Sequence, residues 1–352
     1  MKIEELLRKG GQEANPNPAL FAEKSIAISD AEGAELFHPN AEEISRQQAI
    51  AEICLAWLMR SPSVESRNAY ARDVKHFFHF AGIDANRLDQ LKRIRPIDVS
   101  AWRDHLMRRG LAPASVGRKI TVLRSLFSFL QVQGYASVNP AHRDFVATPP
   151  VPRDGKTVGL SPQECRQLLD APDRSLPVGT RDRAMLAVLA YTGCRVGELC
   201  RLRVGDYRMT SGHRVLEIRG KGGKERRVPL HPEAFERIEA WLDVGVPRTE
   251  AAAALFPPTR SARGNGRDGF QSHAMTPRSV QLLVARYVRL LGLDCAITVH
   301  SFRVTALTTA RERGCDIIDL QTFAGHADPR VTLMYIRNRD RLSHSPAYAL
   351  KY

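Results

Sequence analysis

Two stretches of periodic sequence are separated by AHRDFVATPPVPRDGKTV, residues 141–158, where three prolines and a glycine interrupt every apolar repeat. Proline fixes φ and donates no N–H, so neither a helix nor an interior strand runs through such a segment. The chain is therefore expected to fold as two bodies joined by a semi-extended linker. Its 352 residues, more than one ordinary core accommodates, agree. The expected boundaries are 1–46 for an N-terminal arm, 47–140 for a first domain, 141–158 for the linker, and 159–352 for a second domain with a C-terminal tail.

Before the linker the period is helical. Ile50, Ile53, Cys54, Trp57 and Leu58 fall three and four apart, and Tyr70, Val74, Phe77 and Phe78 share a face after Ser63. A third helix opens at Pro96-Ile97-Asp98, with Asp98 placed to accept from first-turn amides, and stops at Gly110. A fourth follows Pro113 and carries Val116, Ile120, Leu123, Leu126, Phe127 and Leu130. These describe a small helical bundle. Residues 1–46, with Pro16, Pro18 and few aromatics, read instead as a flexible acidic arm with a short helix at Ile3–Lys9.

Beyond the linker, Ser161-Pro162-Gln163-Glu164 has the form of a capping box. Residues 181–191 form an apolar helix expected to be buried. Val215–Ile218 and Arg227–Leu230 flank the turn Gly220-Lys221-Gly222-Gly223-Lys224 as a β-hairpin, and helices are expected from there to about Arg341. The fold class expected is mainly α: a helical bundle followed by a mixed α/β domain, mostly helical, with a small antiparallel sheet.

Charge narrows the function. The chain carries a net charge of +14, yet its first 47 residues hold 5 basic and 9 acidic side chains, so the folded body is more cationic than the whole. Residues 47–140 alone hold 14 basic against 7 acidic. A body of that sign points to a polyanion, most often nucleic acid, whereas charge serving only solubility is the plain alternative. Arg118, Lys119 and Arg124 on the fourth helix and Lys224 on the hairpin are the candidate DNA-backbone contacts. A solvated face explains any one of them equally well. No run of about 18 apolar residues is present to span a membrane, the N-terminus has no signal-peptide core, and six scattered cysteines without a CxxC pair form neither a disulfide framework nor a zinc site. A soluble, cytoplasmic protein is expected.

Four clusters in the second domain carry reactive groups. In Thr192-Gly193-Cys194-Arg195-Val196-Gly197-Glu198, an arginine leaves a buried helix and needs an anion, either Glu198 or a ligand phosphate. Lys221 stands in a glycine-rich turn that could equally be a solvated tip. His300 and Arg303 lie three apart on one helix, where the arginine fork suits two phosphate oxygens. Gly325-His326-Ala327-Asp328-Pro329 stops one helix and starts another that carries Tyr335, a residue type that more often fills a core. No carboxylate cluster for a metal accompanies them, a His300/His326 metal site lacks a third ligand at useful spacing, and no phosphate loop follows a strand. Two arginines and a phenol can instead transfer a phosphoryl group through a tyrosine ester.

The ordered set Thr-Gly-x-Arg-x-x-Glu-Leu, Gly-Lys-Gly-x-Lys-x-Arg, His-x-x-Arg, Gly-His, and a tyrosine nine residues after that histidine resembles the tyrosine recombinase (phage integrase) family over roughly residues 159–340. The preceding bundle resembles that family's core-binding domain. The resemblance implies a site-specific DNA recombinase that integrates, excises or resolves DNA. Tyr335 would be its nucleophile, leaving a 3′-phosphotyrosine and a free 5′-hydroxyl. Arg195 and Arg303 would hold the non-bridging oxygens, Lys221 would protonate the departing oxygen, His300 would serve as acid–base group, His326 would contact the phosphate, and Glu198 would orient Arg195. Because the ester conserves the bond energy, no cofactor and no metal are implied. The partners implied are a double-stranded recombination site, a tetramer of the chain on it, a second recombinase or accessory protein, and no membrane. Phe302 and Val304 depart from the Leu and His common around the family's second arginine, and altered packing is the expected consequence. The tail after Tyr335 would dock on a neighbouring protomer. A type IB-like topoisomerase and a catalytically silent DNA-binding protein are the competing readings.

Overall fold

Prolines mark where the helices begin. Pro96, Pro113, Pro162, Pro177, Pro232, Pro277 and Pro329 each open one, at a position where the missing N–H has no intrahelical partner to lose and φ is already helical. The computed structural model describes residues 52–83, 88–151, 157–220, 223–246, 248–261 and 266–336. The arm expected over 1–46, Lys221 and the tail beyond residue 336 lie outside the described residues. By its internal contacts the chain divides into two units, residues 1–152 and 153–352.

The first unit carries helices at 52–59, Val64–Phe80, Leu88–Leu91, Pro96–Arg108 and Pro113–Val132. Ser63 caps the second by accepting the Ser66 N–H. Asp98 works in the opposite sense to that expected, reaching back from the third helical residue to accept the Arg95 N–H at 2.8 Å. Phe77, Trp102, Leu106, Ile120, Leu123, Leu126 and Phe127 are wholly enclosed, and Phe77 meets Trp102 edge-on at 5.2 Å. The helical period of the sequence is thus the period of the core.

The linker begins later than residue 141. Ala141 and Val146 are buried against the bundle, held there by Arg124, whose Nε donates to Ala141 O at 2.8 Å and whose Nη2 donates to Val146 O at 3.1 Å. Asn139 returns the bond to Arg124 O at 2.9 Å. Proline content marks the extended stretch but not this strap, because the groups that hold it belong to a helix earlier in the chain. Arg124→Ala leaves two carbonyls without their charged donor, and urea unfolding should register a loss of about 2 kcal/mol. Unchanged stability would show that water serves those carbonyls as well.

In the second unit the Pro177–Thr192 helix is enclosed on nearly every side, with Ala184 to Leu189 all buried. The helices Pro162–Asp170, Pro232–Val244, Pro277–Leu290 and Val299–Glu312 surround this core. The Ser161–Glu164 capping box forms as expected. The sheet has three antiparallel strands in the order β1 (Tyr207–Thr210), β2 (His213–Arg219), β3 (Glu225–Pro229). Leu216, Ile218 and Val228 turn inward from it. Strand β1 was not expected: four residues of mixed polarity show no alternation, and only the pairing Tyr207 to Leu216 makes them a strand.

Helices also do not resume directly after Val244. The described residues from 245 to 276 are largely irregular, pinned by Trp241 Nε1 donating to Leu255 O at 2.7 Å and by buried Arg181 donating to Pro257 O at 2.9 Å. No described helix is long and apolar enough to cross a membrane.

Candidate active site

Three helix ends and one strand converge in the second unit. The buried Pro177–Thr192 helix stops at Gly193, whose φ of +57° is the left-handed conformation that releases the chain sideways. Arg195 follows as the cap of the Val196–Arg201 helix. Glu198, one turn on and 2% exposed, accepts the Arg195 backbone N–H at 2.9 Å and its Nη1 at 2.8 Å. Of the two anions open to Arg195 in the sequence, the carboxylate is engaged, while 43% of the arginine side chain stays exposed and able to meet a second.

The Val299–Glu312 helix supplies His300 and Arg303. Ser301 Oγ accepts the Thr298 N–H at 3.0 Å and sets the start of the helix. Arg303 is 1% exposed. Its Nη1 donates to Gly193 O at 2.6 Å, and its Nη2 donates to Ala324 O at 2.7 Å and to His326 Nε2 at 2.7 Å. Its Nε makes no hydrogen bond to any described residue. Burial and the charge of Arg195 both disfavour the Arg303 cation, and the Tyr335 phenol favours it. A buried guanidinium within electrostatic reach of a second is a place where an anion is stabilised.

His326 and Tyr335 come from the next turn and helix. The Ile317–Ala324 helix ends at Gly325, and His326 follows with its N–H on Gln321 O. An arginine nitrogen can only donate, so His326 Nε2 accepts and the ring proton sits on Nδ1, 2.9 Å from Thr332 Oγ1. Burial and then the Arg303 charge push the His326 imidazolium down to about 4, so the ring is neutral at physiological pH. Thr332 lies one turn before Tyr335 on the helix opened by Pro329. The Tyr335 ring stacks on His326 at 5.3 Å and lies 5.7 Å from the Arg303 guanidinium carbon. Its Oη is 3.0 Å from His300 Nε2. His300 is lowered by burial and by the cations Arg303 and Arg195.

The structure therefore brings Arg195, Glu198, His300, Arg303, His326 and Tyr335 into one neighbourhood. Lys221 is outside the described residues, but the hairpin that carries it closes with Gly220 N–H on Lys224 O at 2.7 Å, and Gly220 lies against Glu198. Lys224 is exposed. In the bundle, Arg118 and Lys119 both pair with buried Asp73, at 2.6 Å each, leaving Arg118 about half exposed and Lys119 mostly covered. Arg124 is occupied by the strap carbonyls.

Two participants were given no role from the sequence, although Arg226 closes the Gly-Lys-Gly-x-Lys-x-Arg hairpin motif. Thr332 carries no local signal. Arg226 does: it is two residues from buried Val228 on β3, so the period of two puts an arginine on the inward face. Its Nη2 donates to Glu198 Oε2 at 2.7 Å.

Residues 159–341 match the phage integrase family, and residues 56–134 match the phage integrase N-terminal SAM-like domain. Among curated proteins, the tyrosine recombinase XerC of Anoxybacillus flavithermus is 30% identical over 76% of this chain and 84% of its own length. XerC of Pelobacter propionicus is 32% identical over 80% and 88%. XerD of Ralstonia nicotianae is 30% identical over 86% and 94%. Among solved structures, a lambda integrase dimer bound to a COC′ core site aligns with a TM-score of 0.62 at 17% identity, covering 87% of this chain and 84% of that one. XerH bound to palindromic difH substrate, in a post-cleavage complex, aligns at 0.61 and 20% identity, covering 86% and 90%. At those identities the likeness is one of fold.

Proposed function

This chain belongs to the phage integrase family, and on that premise we propose how its site works. The chain is a tyrosine recombinase, an enzyme that cuts and rejoins DNA at specific sites through a tyrosine. Tyr335 Oη attacks the scissile phosphorus, a 3′-phosphotyrosine bond forms, and the bond to the 5′-oxygen breaks. His300 Nε2 accepts the phenolic proton, and Lys221 returns one to the departing 5′-oxygen. Arg195 and Arg303 hold the non-bridging oxygens and stabilise the charge that grows on them. His326, expected from the resemblance to contact the phosphate, has both ring nitrogens engaged, by Arg303 and by Thr332, and in this reading acts by keeping the Arg303 guanidinium in place. Attack by the freed 5′-hydroxyl of another strand reverses the sequence and restores the tyrosine, so bond energy is carried through without a cofactor.

The observation that carries this reading is the 3.0 Å approach of Tyr335 Oη to His300 Nε2, with the phenol ring against a buried arginine. The substrate is double-stranded DNA, gripped through its phosphates by the exposed cations of both units. Self-association into a tetramer on that DNA, action with a second recombinase or accessory protein, and a cytoplasmic, nucleoid-associated setting complete the proposal. To test it, full-length protein is mixed with a fragment library of genomic DNA, denatured, and the DNA left covalently attached is sequenced. One recurrent sequence attached through Tyr335 is expected. Absence of any attached DNA would overturn the reading.

The pH profile follows from His300. The base must be neutral to accept a proton, and burial together with the Arg303 and Arg195 charges lowers its pKa below the ordinary imidazole value of about 6.5. Adduct formation should hold as pH falls through 6.5, then drop about tenfold per pH unit below the lowered value. His300→Ala should remove that limb. An acid limb that begins above 6.5 would exclude His300 as the base.

A further inference from the structure

We propose that Arg226 is a positioning residue for DNA cleavage, holding the Arg195 side of the site against the side that carries His326 and Arg303. The inference rests on the recombinase reading above and assigns Arg226 no contact with DNA. Arg226 stands on β3 opposite Ile218, its side chain only 10% exposed. Its Nη2 donates to Glu198 Oε2 at 2.7 Å and its Nε donates to Phe323 O at 3.0 Å.

Each partner leads to a different part of the site. Glu198 is the carboxylate that receives both the backbone and the side chain of Arg195. Phe323 lies two residues before Gly325, and the guanidinium packs so closely under that turn that a Cβ on Gly325 would sit 3.0 Å from Arg226 Nη1. His326 comes next and bonds Arg303. One planar group therefore spans the two halves that must meet a single phosphate, starting from the hairpin whose tip holds Lys221. Burial alone would raise the Glu198 carboxyl, but the bonds from Arg226 and Arg195 outweigh it and hold it below the usual range. Without Arg226 the buried carboxylate keeps Arg195 as its partner and can draw it inward. A lysine in its place has one ammonium point and cannot satisfy Glu198 and Phe323 in the same fork geometry.

The test uses full-length protein and a nicked duplex built on the sequence recovered from the wild-type adduct. Arg226→Lys is expected to slow single-turnover adduct formation about 10-fold and Arg226→Met about 100-fold, with DNA affinity within about threefold of wild type and melting temperatures measured alongside. The Arg226→Met/Glu198→Gln double variant should be no slower than the slower single, because both act on one link. A folded Arg226→Lys protein that cleaves at the wild-type rate overturns the proposal, as does a double variant whose defect is the product of the singles. If Arg226→Met fails to fold, the lysine variant decides. Failure of the recombinase reading looks different: wild type then forms no adduct.

Discussion

Tyr335→Phe is expected to bind the recombination site as tightly as wild type and to leave no covalent protein–DNA adduct on a denaturing gel. The substitution keeps the ring that stacks on His326 at 5.3 Å and lies over Arg303. It removes only the hydroxyl, 3.0 Å from His300 Nε2. Packing, charge and DNA contacts therefore stay, and the loss is chemical. Removing a covalent nucleophile without a substitute should lower cleavage by at least about 10⁴-fold. Adduct that persists in the phenylalanine variant would show that another side chain attacks, and would remove Tyr335 from the mechanism. A supercoiled plasmid lacking the recovered site provides the complementary control, since efficient relaxation of it would favour a topoisomerase.

Arg303 carries the second large effect, and there stability and chemistry are entangled. Its guanidinium serves the carbonyls of Gly193 and Ala324 and the ring of His326 while 1% exposed. Arg303→Ala leaves those acceptors buried and unpaired and opens a void, so unfolding stability should fall by about 3 kcal/mol. Arg303→Lys separates the two roles. It keeps the charge and most of the volume, but one ammonium cannot bridge carbonyls contributed by Gly193 and Ala324 and also present a donor to phosphate. Single-turnover cleavage by the lysine variant is expected to fall about 10²-fold or more, the scale of losing one preorganised donor at a charged transition state, with a smaller loss of stability than alanine causes. A lysine variant that cleaves within tenfold of wild type would mean that this guanidinium is structural only.

The sequence alone determined most features whose cause lies within a few residues, the sense of the Asp98 cap being an exception. Proline at the first helical turn, the Ser161–Glu164 box, the helical period of Ile120, Leu123 and Phe127, and the inward strand residues around the Gly220–Lys224 turn are local signals, and the elements stand where those signals lie. The order of Arg195, His300, Arg303, His326 and Tyr335 was also legible, through its resemblance to the tyrosine recombinase family; chemistry of this kind needs those residue types but fixes no order along the chain. Only the tertiary structure decided what each group touches. Arg303 lies 110 residues from the Gly193 carbonyl it binds, and Arg226 lies 28 residues from Glu198. Strand β1 exists because β2 pairs with it, and Arg124, a charge like any other in the sequence, turns out to hold a strap. A charged side chain has no preferred partner until folding removes water from around it. Once it does, the nearest acceptor governs the outcome, and which acceptor is nearest is a property of the packed chain.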